Sequence, residues 1–412
     1  MIDAAVVGAG PAGAWAAYSL ATRGARVLLI DPSHPREKPC GGGVTGRALA
    51  LVRPAVHVPA SRFQVHFPTS RSALEGFRIP ACEVRTARFV DSRTGQSASV
   101  ELAACSSASD PGLIVASRAQ FDGALVAAAR AAGAGVLCSR VTDVVAEDRG
   151  FRIETRSGTV YASRVIGADG ANSLVRRRLA RPFRRNQLSI ATGFFAHGIT
   201  RDEIVIELMS DPPGYIWSFP RPDHLAIGIC AQADAGVTAE ALRRMTAEWI
   251  RQTGLARGAT LQPYSWPIPS LGPGDFDQLE LAGPRWCLVG DAAGLVDPIT
   301  REGIFFALRS AQWAADAVAS GGNLPTYASR VRDEAIPELA HAARLRTVFF
   351  RPAFTALMMD ALQQSAAVRA VMADLVAGRQ PYATLKWRLL RTFELGLAWR
   401  AIVSARSIRR AL

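Results

Sequence analysis

Three stretches of the 412-residue sequence predict an α/β (α+β) fold: a parallel, Rossmann-like nucleotide-binding part, an antiparallel sheet inserted into it, and a helical C-terminal extension. The first stretch is AAVVGAGPAGAWAAYSLATRGARVLLID, from Ala4 to Asp31. It reads as an apolar strand, a glycine turn, a helix to about Ala21, and a second strand ending in an acid. The second lies between Asp202 and Ala231, where DEIVIELMS, YIWSF and HLAIGICA are separated by turn residues and read as adjacent antiparallel strands. The third begins after about Asn323, where helical spacing replaces strand patterns.

Each glycine of the first turn has its own task. Gly8 permits the tight bend, Gly10 lets the backbone approach a pyrophosphate, and Gly13 allows the helix to pack closely on the strand. The helix start, with Ala12 in its first turn, offers free N–H groups and a partial positive charge to that pyrophosphate. Asp31 is placed to accept hydrogen bonds from an adenosine ribose. A dinucleotide is therefore expected here. Only one strand–turn–helix fingerprint of this kind occurs, so no second Rossmann unit for a nicotinamide is expected.

Composition narrows the class. With 49% apolar residues the chain can bury a large core, and no run approaches the roughly 20 apolar residues of a membrane span. The opening MIDAAVVGAG has no charged leader and reads as a first strand, not a signal peptide. Six scattered cysteines, Cys40, Cys82, Cys105, Cys138, Cys230 and Cys287, form no CxxC pair, so no metal site and reduced thiols in a cytoplasmic setting are expected. The net charge of +13 is carried almost wholly by arginine, since Lys38 and Lys386 are the sole lysines. Such charge draws anionic cofactors, acidic partners or anionic membrane surfaces; no nucleic-acid module is present, and nucleic-acid binding is not expected.

Two later segments extend the nucleotide reading. VIGADGANSLVRRRL places Asp169 and Gly170 at a strand end, ahead of Ser173 and Arg176 on a helix. WCLVGDAAGLVDPITREGIFFALRSAQWAADAV gives a strand ending at Gly290 and Asp291, a loop through Pro298, and a helix opening near Gly303 and Ile304. Together with the first turn these segments resemble the flavoprotein superfamily of aromatic hydroxylases, flavin-dependent halogenases and geranylgeranyl reductases. The resemblance implies an FAD-binding Rossmann-like domain of the hydroxylase type. It further implies that Asp291 bonds the ribityl chain, that the helix at Gly303 points its N-terminus at the flavin pyrimidine edge, and that Arg118 stands near the cofactor. Electrons would arrive from NAD(P)H or another reductant visiting from outside.

The strand Pro212 to Pro220 narrows the resemblance. Alternation puts Tyr215, Trp217 and Phe219 on one face, with Ile216 and Ser218 on the other. Three rings on one face are either ordinary sheet core or the wall of a cavity for something large and greasy. Pro212, Tyr215, Trp217, Phe219 and Pro220 fit a PxxYxWxFP pattern similar to that of the geranylgeranyl reductases, which favours the wall. REKPCGGGV, with Arg36, Cys40, Gly41, Gly42 and Gly43, resembles their Cys-Gly-Gly segment beside the flavin. Cys40 would then stand near the reacting carbon; its plainer reading is a small buried hydrophobe. Halogenation is disfavoured, because Lys38 is the one lysine in the first 385 residues and lies inside the flavin loop. DPITREGI departs from the usual reductase form by placing Arg301 before Glu302. His197 and His224 are the histidines nearest the substrate strands, and each reads more readily as structural than as a proton donor.

The expected activity is FAD-dependent reduction of C=C bonds in a prenyl or other hydrophobic substrate. Hydroxylation of an aromatic group by a flavin monooxygenase is the rival, and a non-catalytic flavin-binding accessory protein the third reading. The expected organisation is a discontinuous FAD-binding domain (1–75, 111–180, 281–322), a substrate-binding sheet domain (76–110, 181–280) and a helical C-terminal region (323–412). A helix at TAEALRRMTAEWIRQ should cover the sheet through Ala239, Leu242, Met245 and Ile250. From Leu385 to Leu412 seven basic residues and one acid give +6, and Leu390, Phe393 and Leu397 form a helical stripe. That tail suits an acidic protein partner or an anionic surface at the inner membrane face, or else caps its own domain.

Overall fold

The structure, a computed structural model, describes residues 2–52, 64–65, 79–102, 112–321 and 324–392. Its first layer is a five-stranded parallel sheet in the order Trp286–Leu288, Val165–Gly167, Ala4–Val7, Val27–Ile30, Gly135–Leu137. All four residues of the Ala4–Val7 strand are buried, as a strand covered on both faces requires. The helix Pro11–Ala21 packs on one side with a proline in its first turn, where the missing N–H costs nothing. The helices Arg118–Ala131 and Ile304–Ala319 pack against Pro11–Ala21, and the strands and helices together form the largest core.

The second layer is a seven-stranded sheet in the order Thr260–Pro269, Leu188–His197, His224–Gln232, Pro213–Pro220, Glu203–Ser210, Thr86–Asp91, Ser97–Glu101. The three runs expected between Asp202 and Ala231 are its three consecutive strands. One pairing departs from the all-antiparallel expectation: Glu203–Ser210 runs parallel to Thr86–Asp91, because the two strands come from distant parts of the chain and need no hairpin. The expected covering helix is Ala239–Thr253, capped by Thr238 at its start and by left-handed Gly254 at its end. Its Leu242, Trp249 and Ile250 bury against Ile216, Ile227 and Ile229 on the far face of the sheet. The opposite face is left for Tyr215 and Trp217.

After residue 323 the chain is helical as expected: Leu324–Glu334, Ile336–Phe349, Pro352–Gln364, Ala366–Val376 and Tyr382–Leu390. These helices cover that free sheet face, where Phe349, Phe350, Met358, Met359 and Leu362 join Tyr215 and Trp217 in a second core. Cys105, Phe393, Leu397 and the rest of the basic tail lie outside the described residues.

Candidate active site

The first glycine turn is shaped by backbone contacts. A Cβ on Gly8, at φ 100°, would lie 2.4 Å from the Ala168 carbonyl oxygen, and one on Gly13 would lie 1.7 Å from the Gly8 oxygen. No side chain fits at either place. Gly10 differs: a Cβ there would meet nothing closer than His34 Nε2 at 3.9 Å, so its outer side is open to a ligand. Gly290, at φ 58°, packs so closely on the turn that its Cβ would stand 3.1 Å from that of Ala12. The Gly10 helix start carries no side-chain cap, which leaves its N–H groups for an anion.

Asp31 ends its strand and turns inward. It accepts from Ala9 N at 2.9 Å, from Ser33 N and His34 N at 2.8 Å each, and faces His34 Nδ1 at 3.0 Å. Burial works to raise its pKa, but the His34 ring and these backbone donors outweigh burial and hold it well below the ordinary carboxylate range. His34 lies between Asp31 and Asp122; burial pulls its pKa down, and the two carboxylates more than reverse this and raise it. Asp122 in turn takes a bidentate pair from Arg118, whose Nη1 reaches Cys40 Sγ at 3.4 Å. Asp169 is used locally: it accepts from Ser173 Oγ at 2.5 Å and Leu174 N at 2.6 Å, anchoring the start of the helix Leu174–Leu179, with Gly170 in the left-handed turn before it.

Above this frame opens a cavity of about 250 Å³. Its floor is formed by Cys40, Gly41, Gly42, Gly43, Arg118, Asp291, Gly303 and Ile304. The Gly303 end of the helix Ile304–Ala319 has no side-chain cap and presents its N-terminus there. Lys38 Nζ stands 3.7 Å from Asp291 Oδ2. Tyr215, Trp217 and Phe219 form a wall together with Ile206, Leu208, Trp266 and Ile268. Floor and wall touch, since a Cβ on Gly41 would lie 2.9 Å from the Phe219 ring and one on Gly43 3.2 Å from it. Gly228, opposite Trp217 on the next strand, is forced by the same packing: its Cβ would come 2.4 Å from Trp217 Cζ2. Tyr215 Oη donates to the Thr300 carbonyl at 2.9 Å, and burial lifts its pKa well above the ordinary value.

The remaining sequence-singled residues stand outside the lining. Gly8, Gly10, Ala12, Gly13, Asp31, Asp169, Gly170, Gly290 and buried Pro298 build the frame beneath, and Arg36 stacks over Trp266 at 5.0 Å. His197 and His224 pair across two strands, bonded to Gln262 and Asp223. Neither faces the cavity.

Two groups escaped the sequence. Arg221 is wholly buried; it pairs with Glu37, donates to the Cys40 carbonyl at 2.6 Å, and faces Phe195 at 5.3 Å. It thereby fixes the Cys-Gly-Gly loop. A lone arginine directly after the aromatic motif, in a turn between two buried strands, was the available signal. The second group is the roof: Phe349, Met372, Leu375, Val376 and Tyr382 from the C-terminal helices, with Gln380 from the connection before the last of them, line the cavity. Their spacing in sequence is that of any packed helix, so nothing local marked them.

The open backbone at Gly10, the uncapped helix starts at Pro11 and Gly303, and the Gly41–Gly43 loop beside Asp291 have the shape that an FAD would need, with Gly10 and its helix suited to the pyrophosphate and the others to the ribityl chain and ring. Asp31 departs from the ribose role expected from sequence: its carboxylate is taken up by Ala9, Ser33 and His34 and braces the turn. The FAD-dependent oxidoreductase family model matches residues 3–85. The protein is an FAD-dependent oxidoreductase. Menaquinone reductase of Mycobacterium tuberculosis is 30% identical over 368 residues, 85% of each chain. Geranylgeranyl diphosphate reductase of Rhodobacter capsulatus is 30% identical over 336 residues, 76% of this chain and 74% of that one. In fold, the crystal structure of a geranylgeranyl bacteriochlorophyll reductase-like protein from Thermoplasma acidophilum superposes with a TM-score of 0.74 at 22% identity, covering 95% of this chain and 99% of that one. The chain belongs to the geranylgeranyl reductase family of flavoproteins.

Proposed function

We propose that this enzyme reduces C=C bonds in the isoprenoid chain of a hydrophobic substrate, with electrons entering from NAD(P)H or another external reductant. The observation that carries the reading is the shared wall: Phe219 packs on the Gly41–Gly43 loop while Tyr215 and Trp217 continue the same strand face into an apolar chamber. A chain lying along that face would pass the cofactor floor. Relatives that act on geranylgeranyl diphosphate and menaquinone, both by name, support it.

When bound and reduced, FAD supplies a hydride equivalent to an alkene carbon. The protein's own part is to hold, dry and orient. Trp217, Phe219, Ile206, Leu208 and Phe349 exclude water and bind the chain by apolar contact, at roughly 25 cal/mol per Å² buried. Tyr215 Oη keeps its proton through the physiological range and is fixed by Thr300. Arg118 and Arg221 hold Cys40 at the floor from two sides. The test is incubation of reduced holoenzyme with geranylgeranyl diphosphate, reading product mass: a gain of two hydrogens per bond is expected, and recovery of unchanged substrate contradicts the proposal.

Peripheral attachment belongs to the same reading. Trp387, Leu389 and Leu390 are exposed on the last described helix, beside Lys386 and Arg391. No described helix is long and apolar enough to cross a membrane. An exposed tryptophan among basic residues suits the headgroup region of an anionic bilayer, from which a greasy substrate would be taken.

A further inference from the structure

Arg301 is the one non-glycine among the described residues with a left-handed backbone, at φ 61°. That conformation is disfavoured for any residue with a Cβ, so the position is one where glycine would be easier. The guanidinium reaches Ser270, a fully buried residue just beyond the strand Thr260–Pro269. Arg346, from the helix Ile336–Phe349, arrives at the same atom: Nη1 of each arginine donates to Ser270 Oγ. The hydroxyl donates in turn to Gln232 Oε1 at 2.8 Å, so its bonding capacity is used. Two cations thus meet on one neutral group.

The neighbouring acids are engaged elsewhere: the buried Asp297 carboxylate, which lines the cavity beside Arg301, accepts from Ile299 N and Thr300 N. Glu302 is turned to Thr45 and Arg47. Asp275 is held by Arg184, Gln187 and the Gly272 N–H, and Asp234 is exposed to solvent. Among the described residues neither Arg301 nor Arg346 forms an ion pair with a carboxylate, and Arg301 Nε is buried with no acceptor. Burial, with the Arg301 charge beside it, brings the Arg346 pKa down to about 10. The location is specific. Trp266, Ile268 and Ser270 lie two residues apart along the chain, and the first two line the cavity with Arg301. Thr300, next to Arg301, carries the hydrogen bond from Tyr215.

We infer that Arg301, which lines the apolar chamber, and Arg346, which stands behind it on the shared Ser270 hydroxyl and outside the chamber's lining, form a binding site for a phosphate-class anion. Two guanidinium forks with donors to spare match the several oxygens of a phosphate or diphosphate better than a single lysine would. If the anion is the head of the substrate, its chain extends along Ile268 and Tyr215 toward the floor. This headgroup assignment rests on the function proposed above; the anion site itself does not.

The test is calorimetric titration of holoenzyme with inorganic pyrophosphate, geranylgeranyl diphosphate and geranylgeraniol, for wild type, Arg301→Gly and Arg346→Gln. Arg301→Gly relieves the left-handed backbone and should fold at least as stably as wild type, so its behaviour reports on the ligand. Pyrophosphate affinity should fall about tenfold or more in each variant, the loss of a charge-assisted fork. A diphosphate that binds about tenfold tighter than the alcohol in wild type, with the gap closing in both variants, identifies a lipid headgroup. Arginine-dependent pyrophosphate binding without that gap identifies a free anion and leaves the site standing. Wild type that ignores pyrophosphate, or variants that bind it equally well, overturn the inference. Reduction of geranylgeraniol in that case would show the function reading intact without the site, while arginine-dependent pyrophosphate binding with no prenyl binding would show the reverse.

Discussion

The turn at Gly8–Gly13 and the chamber around Trp217 are constructed in opposite ways. The turn is made of backbone, and its shape depends on side chains that are absent: Gly13 leaves 1.7 Å where a Cβ would have to stand. The chamber is made of large side chains delivered by the strands Glu203–Ser210, Pro213–Pro220 and Thr260–Pro269 and by the C-terminal helices from Ile336 onward. The turn is a fixed backbone mould, whereas the chamber is a wall of large side chains. The two meet at Phe219 on Gly41 and Gly43, and their difference can be probed from either side.

The largest effect is expected in the mould. Gly13→Ala forces a methyl group onto the Gly8 carbonyl and should weaken FAD retention roughly a hundredfold, ~2.7 kcal/mol, read as flavin absorbance per protein after dialysis. Next comes the clamp between the regions. Arg221→Met strands Glu37 and the Cys40 carbonyl and should cost about 3–5 kcal/mol in urea unfolding, as breaking a buried pair does. The half-exposed pair Arg23–Asp316 is the control, with ~1 kcal/mol or less expected for Arg23→Met. On the chamber side, Gly228→Ala pushes Trp217 from its groove at a cost of about 1–3 kcal/mol. It should lower turnover of long prenyl chains more than of short ones while leaving FAD in place; equal loss for both lengths would break the comparison.

A smaller effect separates the regions by pH. His34 has a raised pKa in the folded state, so its contribution is fully present below its unfolded value of about 6.5 and is lost as pH rises through the folded value. Asp31 has a depressed one, so its contribution holds above about 4 and is lost on acidification. The stability advantage of wild type over His34→Asn should therefore shrink as pH is raised from about 6 to 9, and a flat difference would remove the charge from the account. The smallest effect on stability is expected at the surface: Trp387→Ser should change it by less than ~0.5 kcal/mol yet reduce binding to anionic vesicles.

This contrast also explains what could be read from the chain alone. Backbone moulds leave local marks, so Gly8, Gly10 and Gly13, Asp291 with Gly303, and the Cys40–Gly43 loop were legible, as were the strand alternation that gathers Tyr215, Trp217 and Phe219 and the helical end of the chain. Roles that depend on long-range packing were not. Arg221 acts on a loop some 180 residues away, and Met372 or Tyr382 lines the chamber through a helix order that no local pattern encodes. The parallel pairing of Glu203–Ser210 with Thr86–Asp91 escaped for the same reason. Asp169 was legible as a strand-end acid, but its engagement with Ser173 and Leu174 is a matter of local geometry that the motif does not specify.

The most direct measurement mixes anaerobically reduced holoenzyme with geranylgeranyl diphosphate and follows the return of oxidised-flavin absorbance alongside product mass. The account expects reoxidation without oxygen, one saturated bond per flavin, and strong slowing in Trp217→Ala with FAD retained. Flavin that stays reduced until air is admitted, with oxygen then found in the product, would contradict it.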